Sequence, residues 1–221
     1  MTELEERIDK IRHSLVNMAS LVEDNINKSL KCLIDRNKSL SDEIFAQELE
    51  VNNLDNEIDT QGIETLALFQ PVSEDLRYIV MAMKINKDLE RIGDHAVGIT
   101  RKAVELLEYP TVKEYIDLPN MVFSASKMVS DSIKSFISGN KQLAIDVCER
   151  DREIDKSYIK ISEEIISLMK NDPSIIDAAK FLLLILKDVE RIGDLATNIA
   201  EDTYYIPVSY THLTLPTIYS V

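Results

Sequence analysis

The chain carries Ile85-Asn86-Lys87-Asp88-Leu89-Glu90-Arg91-Ile92-Gly93-Asp94-His95-Ala96 and repeats it, 100 residues later, as Ile185-Leu186-Lys187-Asp188-Val189-Glu190-Arg191-Ile192-Gly193-Asp194-Leu195-Ala196. Solenoid repeats are much shorter, about 20 to 50 residues. A period of 100 residues therefore indicates two copies of one unit, related by approximate twofold symmetry. We expect any chemistry of Glu90 and Asp94 to recur at Glu190 and Asp194.

Composition favours an all-α fold. The 221 residues are 45% hydrophobic and contain only five Gly and six Pro, so long helices can run without interruption. Apolar residues at helical spacing predict helices over about residues 4–35, 39–69, 73–108, 120–137 and 141–170, with a sixth starting at 172–174. Ser39 or Ser41 is predicted to cap the second helix.

The predicted architecture is two tandem, pseudo-symmetric three-helix bundles built from six long helices. The first repeat is assigned to residues 1–109 and the second to residues 119–206, with a connection between them. Residues 207–221 contain no Asp, Glu, Lys or Arg in a chain that is 29% charged. We interpret them as a non-native tail, and the alternative is a natural disordered terminus.

Charge and hydropathy exclude several classes of protein. A net charge of −14 argues against binding to nucleic acid or to an anionic membrane, since both need clustered basic residues. No apolar run approaches the roughly 18 to 20 residues that span a bilayer, and the acidic N-terminus does not resemble a signal peptide. Two isolated cysteines fit neither a disulfide framework nor a zinc site. These features predict a cytoplasmic protein without membrane insertion.

Paired carboxylates are the candidate functional groups. Residues four apart share a helix face, so Glu90 lies beside Asp94 and Glu190 beside Asp194. The apolar stripe of the same helix faces the other way, and we expect these acids to point away from the bundle core. Like charges at this spacing and an internal glycine each destabilise a helix, yet both occur in both copies.

The second predicted helix supplies further acids. Glu48, Asn52, Asp55 and Asp59 form a polar stripe, and the corresponding stripe of the second half is Asp151, Asp155, Tyr158 and Ser162. Two neighbouring helices would then bring several carboxylates together. Oxygen ligands at this density suit Mg²⁺, Ca²⁺, Mn²⁺ or oxo-bridged iron.

A plainer interpretation remains open. Charged residues usually line the solvated face of an amphipathic helix, and Lys87 with Glu90, or Arg91 with Asp94, would be ordinary ion pairs. No nucleophile, phosphate-binding glycine loop or helical Glu-x-x-His sequence is present.

Three segments carry a family resemblance. They read Val51-Asn52-Asn53-Leu54-Asp55-Asn56-Glu57-Ile58-Asp59, Gln70-Pro71-Val72-Ser73-Glu74-Asp75-Leu76-Arg77 and the duplicated Glu-Arg-Ile-Gly-Asp. Together they resemble the PhoU family of phosphate-transport accessory proteins and phosphate-signalling regulators. The resemblance covers about residues 1–205.

The resemblance implies multinuclear metal clusters, of iron or zinc, on the bundle surface; Mg, Mn and Ca stay open. The family's acidic motifs match Asp55 with Asp59, Glu90 with Asp94, and Glu190 with Asp194. Tyr158 and Ser162 depart from the pattern, so the second half keeps Asp151 and Asp155 on its helix. The expected metal ligands are Asp55, Asp59, Glu90, Asp94, Asp151, Asp155, Glu190 and Asp194.

The resemblance also implies a regulatory function without catalysis. Such a protein would restrain the phosphate ABC transporter through its ATPase subunit, act on the phosphate sensor histidine kinase, and form a homodimer. A metal-buffering carboxylate protein and a metal-dependent phosphoester hydrolase are the alternatives, because both would use the same acids.

Overall fold

The structure, a computed structural model, describes residues 2–113 and 115–205, and over these ranges the protein is all-α with six long helices. They are α1 (Glu3–Ile34), α2 (Ser39–Phe69), α3 (Ser73–Glu105), α4 (Leu118–Ser138), α5 (Lys141–Asn171) and α6 (Ile176–Tyr205). Short 3₁₀ turns follow α3 at Leu106–Glu108 and precede α6 at Pro173–Ile175. The predicted fold class is confirmed. The interpretation of residues 207–221 falls outside the described residues.

Local chemistry explains where the helices begin. Thr2 and Glu5 form a reciprocal capping box at the start of α1, which satisfies two backbone N–H groups. The prediction that Ser39 or Ser41 caps α2 is wrong. The side chain of Asn37 instead accepts hydrogen bonds from the Ser39 backbone N–H at 3.1 Å and from the Ser39 hydroxyl at 2.7 Å.

The turn between α4 and α5 lies in the gap between the predicted helices 120–137 and 141–170. Gly139 adopts φ 64° at the end of α4, a left-handed conformation that glycine accepts without steric cost. Asn140 then caps α5 by accepting a hydrogen bond from the Leu143 N–H at 3.1 Å. At its other end, α4 begins two residues before the predicted start because Pro119 fits the first helical turn, where no N–H is needed.

The helices pack as two groups of three. Helices α1, α2 and α3 contact one another, as do α4, α5 and α6, and the two groups meet through α3 with α6 and α1 with α4. One apolar core runs through both groups. Its largest fully buried side chains include Ile11, Leu15, Met18 and Ile26 of α1, Ile58 of α2, Ile85, Leu89, Ile92 and Ile99 of α3, and Met128 of α4. In the part of the chain described, no helix is long and apolar enough to cross a membrane.

Ion pairs fix the antiparallel register of α3 against α6. Lys102 Nζ lies 2.6 Å from Asp188 Oδ2, and Lys84 Nζ lies 2.7 Å from Asp202 Oδ1. His95 Nδ1 lies 3.1 Å from Asp188 Oδ1. The early part of α3 therefore faces the late part of α6.

The repeat relation breaks down at this contact. Asp88 is the counterpart of Asp188, but Leu195 stands where His95 would be and Asp202 stands where Lys102 would be. Asp88 is only 6% exposed, and its nearest cation is Arg91 at 3.6 Å. Burial, with Asp202 nearby, raises the pKa of the Asp88 carboxyl. The Oδ2 atom of Asp202 is buried without a hydrogen-bond partner among the residues that the structure describes.

We predict that Asp188→Asn and Asp88→Asn have opposite effects on stability at neutral pH. Asp188→Asn removes the charge that pairs with Lys102 and His95, so the free energy of unfolding should fall by about 1–2 kcal/mol. Asp88→Asn removes a buried carboxylate held near another one, so the free energy of unfolding should stay equal or rise. Urea denaturation of both variants checks this, and equal losses would contradict the ion-pair assignment.

Candidate functional site

The first acidic seam (Asp55, Asp59, Glu90 and Asp94) lies where α2 packs against α3. Asp55 and Asp59 come from α2, one helical turn apart, and Glu90 and Asp94 come from α3 in the same relation. Burial raises the pKa of Glu90, and the nearby carboxylates of Asp94 and Asp55 raise it further. The expected convergence of acids from two helices is therefore present.

Lys87 and Asn86 neutralise and tether the α2 half of this seam. Lys87 Nζ donates to both carboxylate oxygens of Asp55, at 2.8 and 2.9 Å, and lies 2.6 Å from Asp59 Oδ2. The Asn86 amide donates to Asp55 Oδ1 at 2.8 Å and to Asp59 Oδ1 at 3.3 Å. Every oxygen of these two carboxylates thus faces a donor on α3.

The second acidic seam (Asp151, Asp155, Glu190 and Asp194) lies between α5 and α6. Burial and the carboxylates of Asp155, Asp194 and Glu190 raise the pKa of Asp151 to about 6. Among the described residues the Oδ1 atom of Asp151 is buried without a hydrogen-bond partner, while the nearby Thr197 hydroxyl opposes part of the rise in the pKa. Four carboxylates are therefore close enough to repel one another.

The lysine of the second repeat makes different contacts. Lys187 Nζ lies 2.6 Å from both carboxylate oxygens of Glu190, on its own helix, and 5.4 Å from the ring centroid of Tyr158. Arg191 pairs with Asp194 at 2.9 Å. On α6, the lysine and the arginine of the motif thus pair with the motif's own acids, as the interpretation by ordinary ion pairs within one helix expects. On α3 they do not, because Lys87 contacts acids of α2 and Arg91 contacts Asp88.

The expectation that these acids point away from the core needs correction. Asp94 is exposed, but Glu90 is half-buried and the Glu190 side chain is only 14% exposed. The reason is that α2 and α5 cover this side of α3 and α6. Three different faces of α3 therefore contact α1, α2 and α6.

Sequence reasoning missed the charged groups at the contact between α3 and α6. Asp88, His95 and Lys102 are spaced by seven residues, which places them on one helix face. Asp188, Leu195 and Asp202 follow the same spacing on α6. This spacing, together with the repeated Lys-Asp in the motif, is the signal that would have found them.

The two motif glycines permit close helix approach. A Cβ atom on Gly193 would lie 3.2 Å from Asp151 Oδ1, whereas one on Gly93 would lie 3.4 Å from a methyl group of Val51. The first distance is too short for an ordinary contact. Gly193 therefore provides the space that the Asp151 carboxylate occupies.

The donor chemistry of the seams fits a hard metal ion. Both seams offer only carboxylate oxygens, and the bare Oδ1 atom of Asp151 is the kind of buried acceptor that a cation would satisfy. Within residues 2–113 and 115–205, no three His, Cys, Asp or Glu side chains are already arranged around a common metal position. Side-chain rotation would be needed to form one.

Both repeats are similar to a known family of proteins. The PhoU domain matches residues 15–103 and 118–203, one match in each repeat. A phosphate-specific transport system accessory protein PhoU homolog from Clostridium acetobutylicum is 33% identical over 207 residues, covering 91% of this chain and 93% of the relative. PhoU homolog 2 from Thermotoga maritima is 30% identical over 203 residues, covering 92% and 86%.

Solved structures show the same fold. The crystal structure of PhoU from Pseudomonas aeruginosa superimposes with a TM-score of 0.89 at 31% identity, covering 92% of this chain and 98% of that one. The phosphate transport system regulatory protein PhoU from Streptococcus pneumoniae gives a TM-score of 0.85 at 27% identity, covering 96% and 100%. The similarity therefore extends over both repeats.

We predict that Asp151 makes the metal-free protein more stable in mild acid. A carboxyl whose pKa is raised by folding contributes its full stabilisation at a pH below its pKa in the unfolded chain, 3.8, and this contribution is lost as the pH rises through about 6. When the pH is lowered from about 7.5 to about 5, the free energy of unfolding of wild type should therefore rise by roughly 1 kcal/mol more than that of Asp151→Asn. Urea titrations with a chelator present measure this, and parallel pH profiles would refute it.

We also predict that the two motif glycines respond differently to alanine. Gly93→Ala should be neutral or stabilising by up to about 1 kcal/mol, because alanine favours the helix and its Cβ fits. Gly193→Ala should stabilise the protein less than Gly93→Ala does, or should destabilise it, because the added Cβ displaces the Asp151 carboxylate. Thermal unfolding of both variants decides this. A Gly193→Ala gain equal to that of Gly93→Ala would show that the close approach is unimportant.

Proposed function

The chain belongs to the PhoU family, and we propose on that basis that it restrains phosphate uptake and phosphate-starvation signalling through contact with other proteins. The observation that carries this proposal is the match of both repeats to PhoU structures, one of them described as a phosphate transport system regulatory protein. The family is one of regulatory proteins and not of enzymes. The protein is accordingly a PhoU-type phosphate-transport accessory protein, and action through binding of other proteins is part of our proposal.

The proposed partners are the ATPase subunit of the phosphate ABC transporter and the phosphate sensor histidine kinase, both met from the cytoplasmic side. A net charge of −14 supports this, because a strongly charged surface speeds encounter with a partner of complementary charge. We also propose that the protein acts as a homodimer.

The proposal includes multinuclear metal clusters at the acidic seams, of iron or zinc, with Mg, Mn and Ca as open alternatives. Asp55, Asp59, Glu90 and Asp94 would hold them in the first repeat, and Asp151, Asp155, Glu190 and Asp194 in the second. Burial raises the pKa values of Glu90 and Asp151, neighbouring carboxylates raise them further, and a bound cation would relieve that repulsion. It would also link α2 to α3 and α5 to α6.

Co-purification tests the proposed function. The affinity-tagged full chain is expressed together with the transporter ATPase subunit and the sensor kinase, at high and at low phosphate. We expect capture of the ATPase subunit, the kinase or both, with more capture at high phosphate. An Asp42→Asn variant, altered at an exposed residue near the start of α2, provides a surface-charge control.

Failure to capture either partner would contradict the proposal. Stoichiometric metal on the purified protein would then favour metal buffering. Metal-dependent turnover of a phosphoester or polyphosphate, lost in Glu90→Ala, would favour a hydrolase.

A further inference from the structure

We propose that Lys87 is a built-in counter-ion that keeps divalent cations out of the first acidic seam, so that the second seam fills first. This inference rests on the metal part of the proposed function. It concerns the order in which the two seams bind metal. The similarity of the two repeats would by itself suggest that both seams bind equally well.

In the first seam a cation would have to displace an existing network. Lys87 contacts Asp55 and Asp59 at 2.6 to 2.9 Å, and Asn86 holds the same two carboxylates from the neighbouring position. The Asp55 side chain is only 14% exposed, so water competes weakly for these contacts. Lys87 also comes from a different helix than its partners, so its ammonium group already bridges α2 and α3.

In the second seam, no lysine of the described residues bridges the acids of α5 to α6. Asp151 Oδ1 is buried without a hydrogen-bond partner among these residues, the neutral Thr197 hydroxyl lies beside the carboxylate, and three further carboxylates are close to it. Lys187 is held on Glu190 of its own helix, a pair between residues three apart that contributes little to stability. A cation would therefore gain Asp151 and Asp155 without displacing a lysine that links two helices.

The sequence difference between the repeats explains this asymmetry. Tyr158 and Ser162 occupy the positions on α5 that match Asp55 and Asp59 on α2, so Lys187 meets an aromatic ring instead of two carboxylates. Leu186 replaces Asn86, which removes the second donor. The acids of α5 lie instead at Asp151 and Asp155, nearer the start of the helix and beyond the contacts of Lys187.

Titration of the metal-free full chain with Mn²⁺ alone, followed by calorimetry and electron paramagnetic resonance, tests the order. In wild type, the tightest binding should weaken at least about tenfold in Asp151→Asn/Asp155→Asn and change less than about twofold in Asp55→Asn/Asp59→Asn. In Lys87→Met, the first seam should become a second set of tight Mn²⁺ sites, and adding Asp55→Asn and Asp59→Asn to this variant should remove them. The first seam should bind Mn²⁺ at least about tenfold more tightly in Lys87→Met than in wild type.

Lys187→Met is the matched control. It removes the corresponding lysine of the second repeat and should add no new sites, because Asp151 and Asp155 are already free of lysine. Circular dichroism confirms that each variant keeps its helical content.

Two outcomes would overturn the inference. One is that the tightest Mn²⁺ binding in wild type depends on Asp55 and Asp59, and the other is that the Mn²⁺ affinity of the first seam is the same in Lys87→Met as in wild type. Absence of Mn²⁺ binding in every variant would overturn both the inference and the metal part of the proposed function. It would leave partner capture unaffected, so the two kinds of failure can be told apart.

Discussion

Packing of α3 against α6 is the contact on which the rest of the structure depends. Each helix carries one copy of the repeated motif, and their antiparallel register is held by Lys102 with Asp188 and Lys84 with Asp202. Because each helix is surrounded on three sides, its charged residues lie in narrow contacts with neighbours. Carboxylates that would be solvated on an isolated helix therefore face other charges, and their pKa values change accordingly.

The two repeats have diverged in how they balance these charges. On the contact between α3 and α6, Asp188 is paired with Lys102 and His95, whereas its counterpart Asp88 is buried near Asp202. In the acidic seams the imbalance is reversed, since Lys87 bridges the two helices in the first repeat, whereas no lysine of the described residues contacts Asp151 in the second. Duplication thus preserved the helices and the motif, while single substitutions changed which carboxylates carry a partner.

The sequence was sufficient to predict the fold because helical periodicity, few glycines and a long repeat all indicate the same architecture. Spacing alone also places Glu90 beside Asp94 and Asp55 beside Asp59, and the structure packs the two helices that carry these pairs against each other. The sequence could not show that Lys87 crosses to α2 while Lys187 stays on Glu190, because both sit three residues before a glutamate. That choice depends on the neighbouring helix, where Asp55 is replaced by Tyr158.

The same limit applied to the contact between α3 and α6. Helix periodicity places Asp88, His95 and Lys102 on one face, but only the tertiary arrangement shows that this face meets Asp188 and Asp202. The cap of α2 is a local example, because the capping group came from Asn37, two residues before the helix begins. Spacing within one helix identifies faces, and the identity of the neighbour has to come from the packed structure.

The most direct measurement is anomalous X-ray diffraction from crystals of the protein grown with a limiting amount of Mn²⁺. Our account predicts an anomalous peak at Asp151 and Asp155, with Lys87 still between Asp55 and Asp59. A peak in the first seam with the second seam empty, or no peak in either, would contradict it.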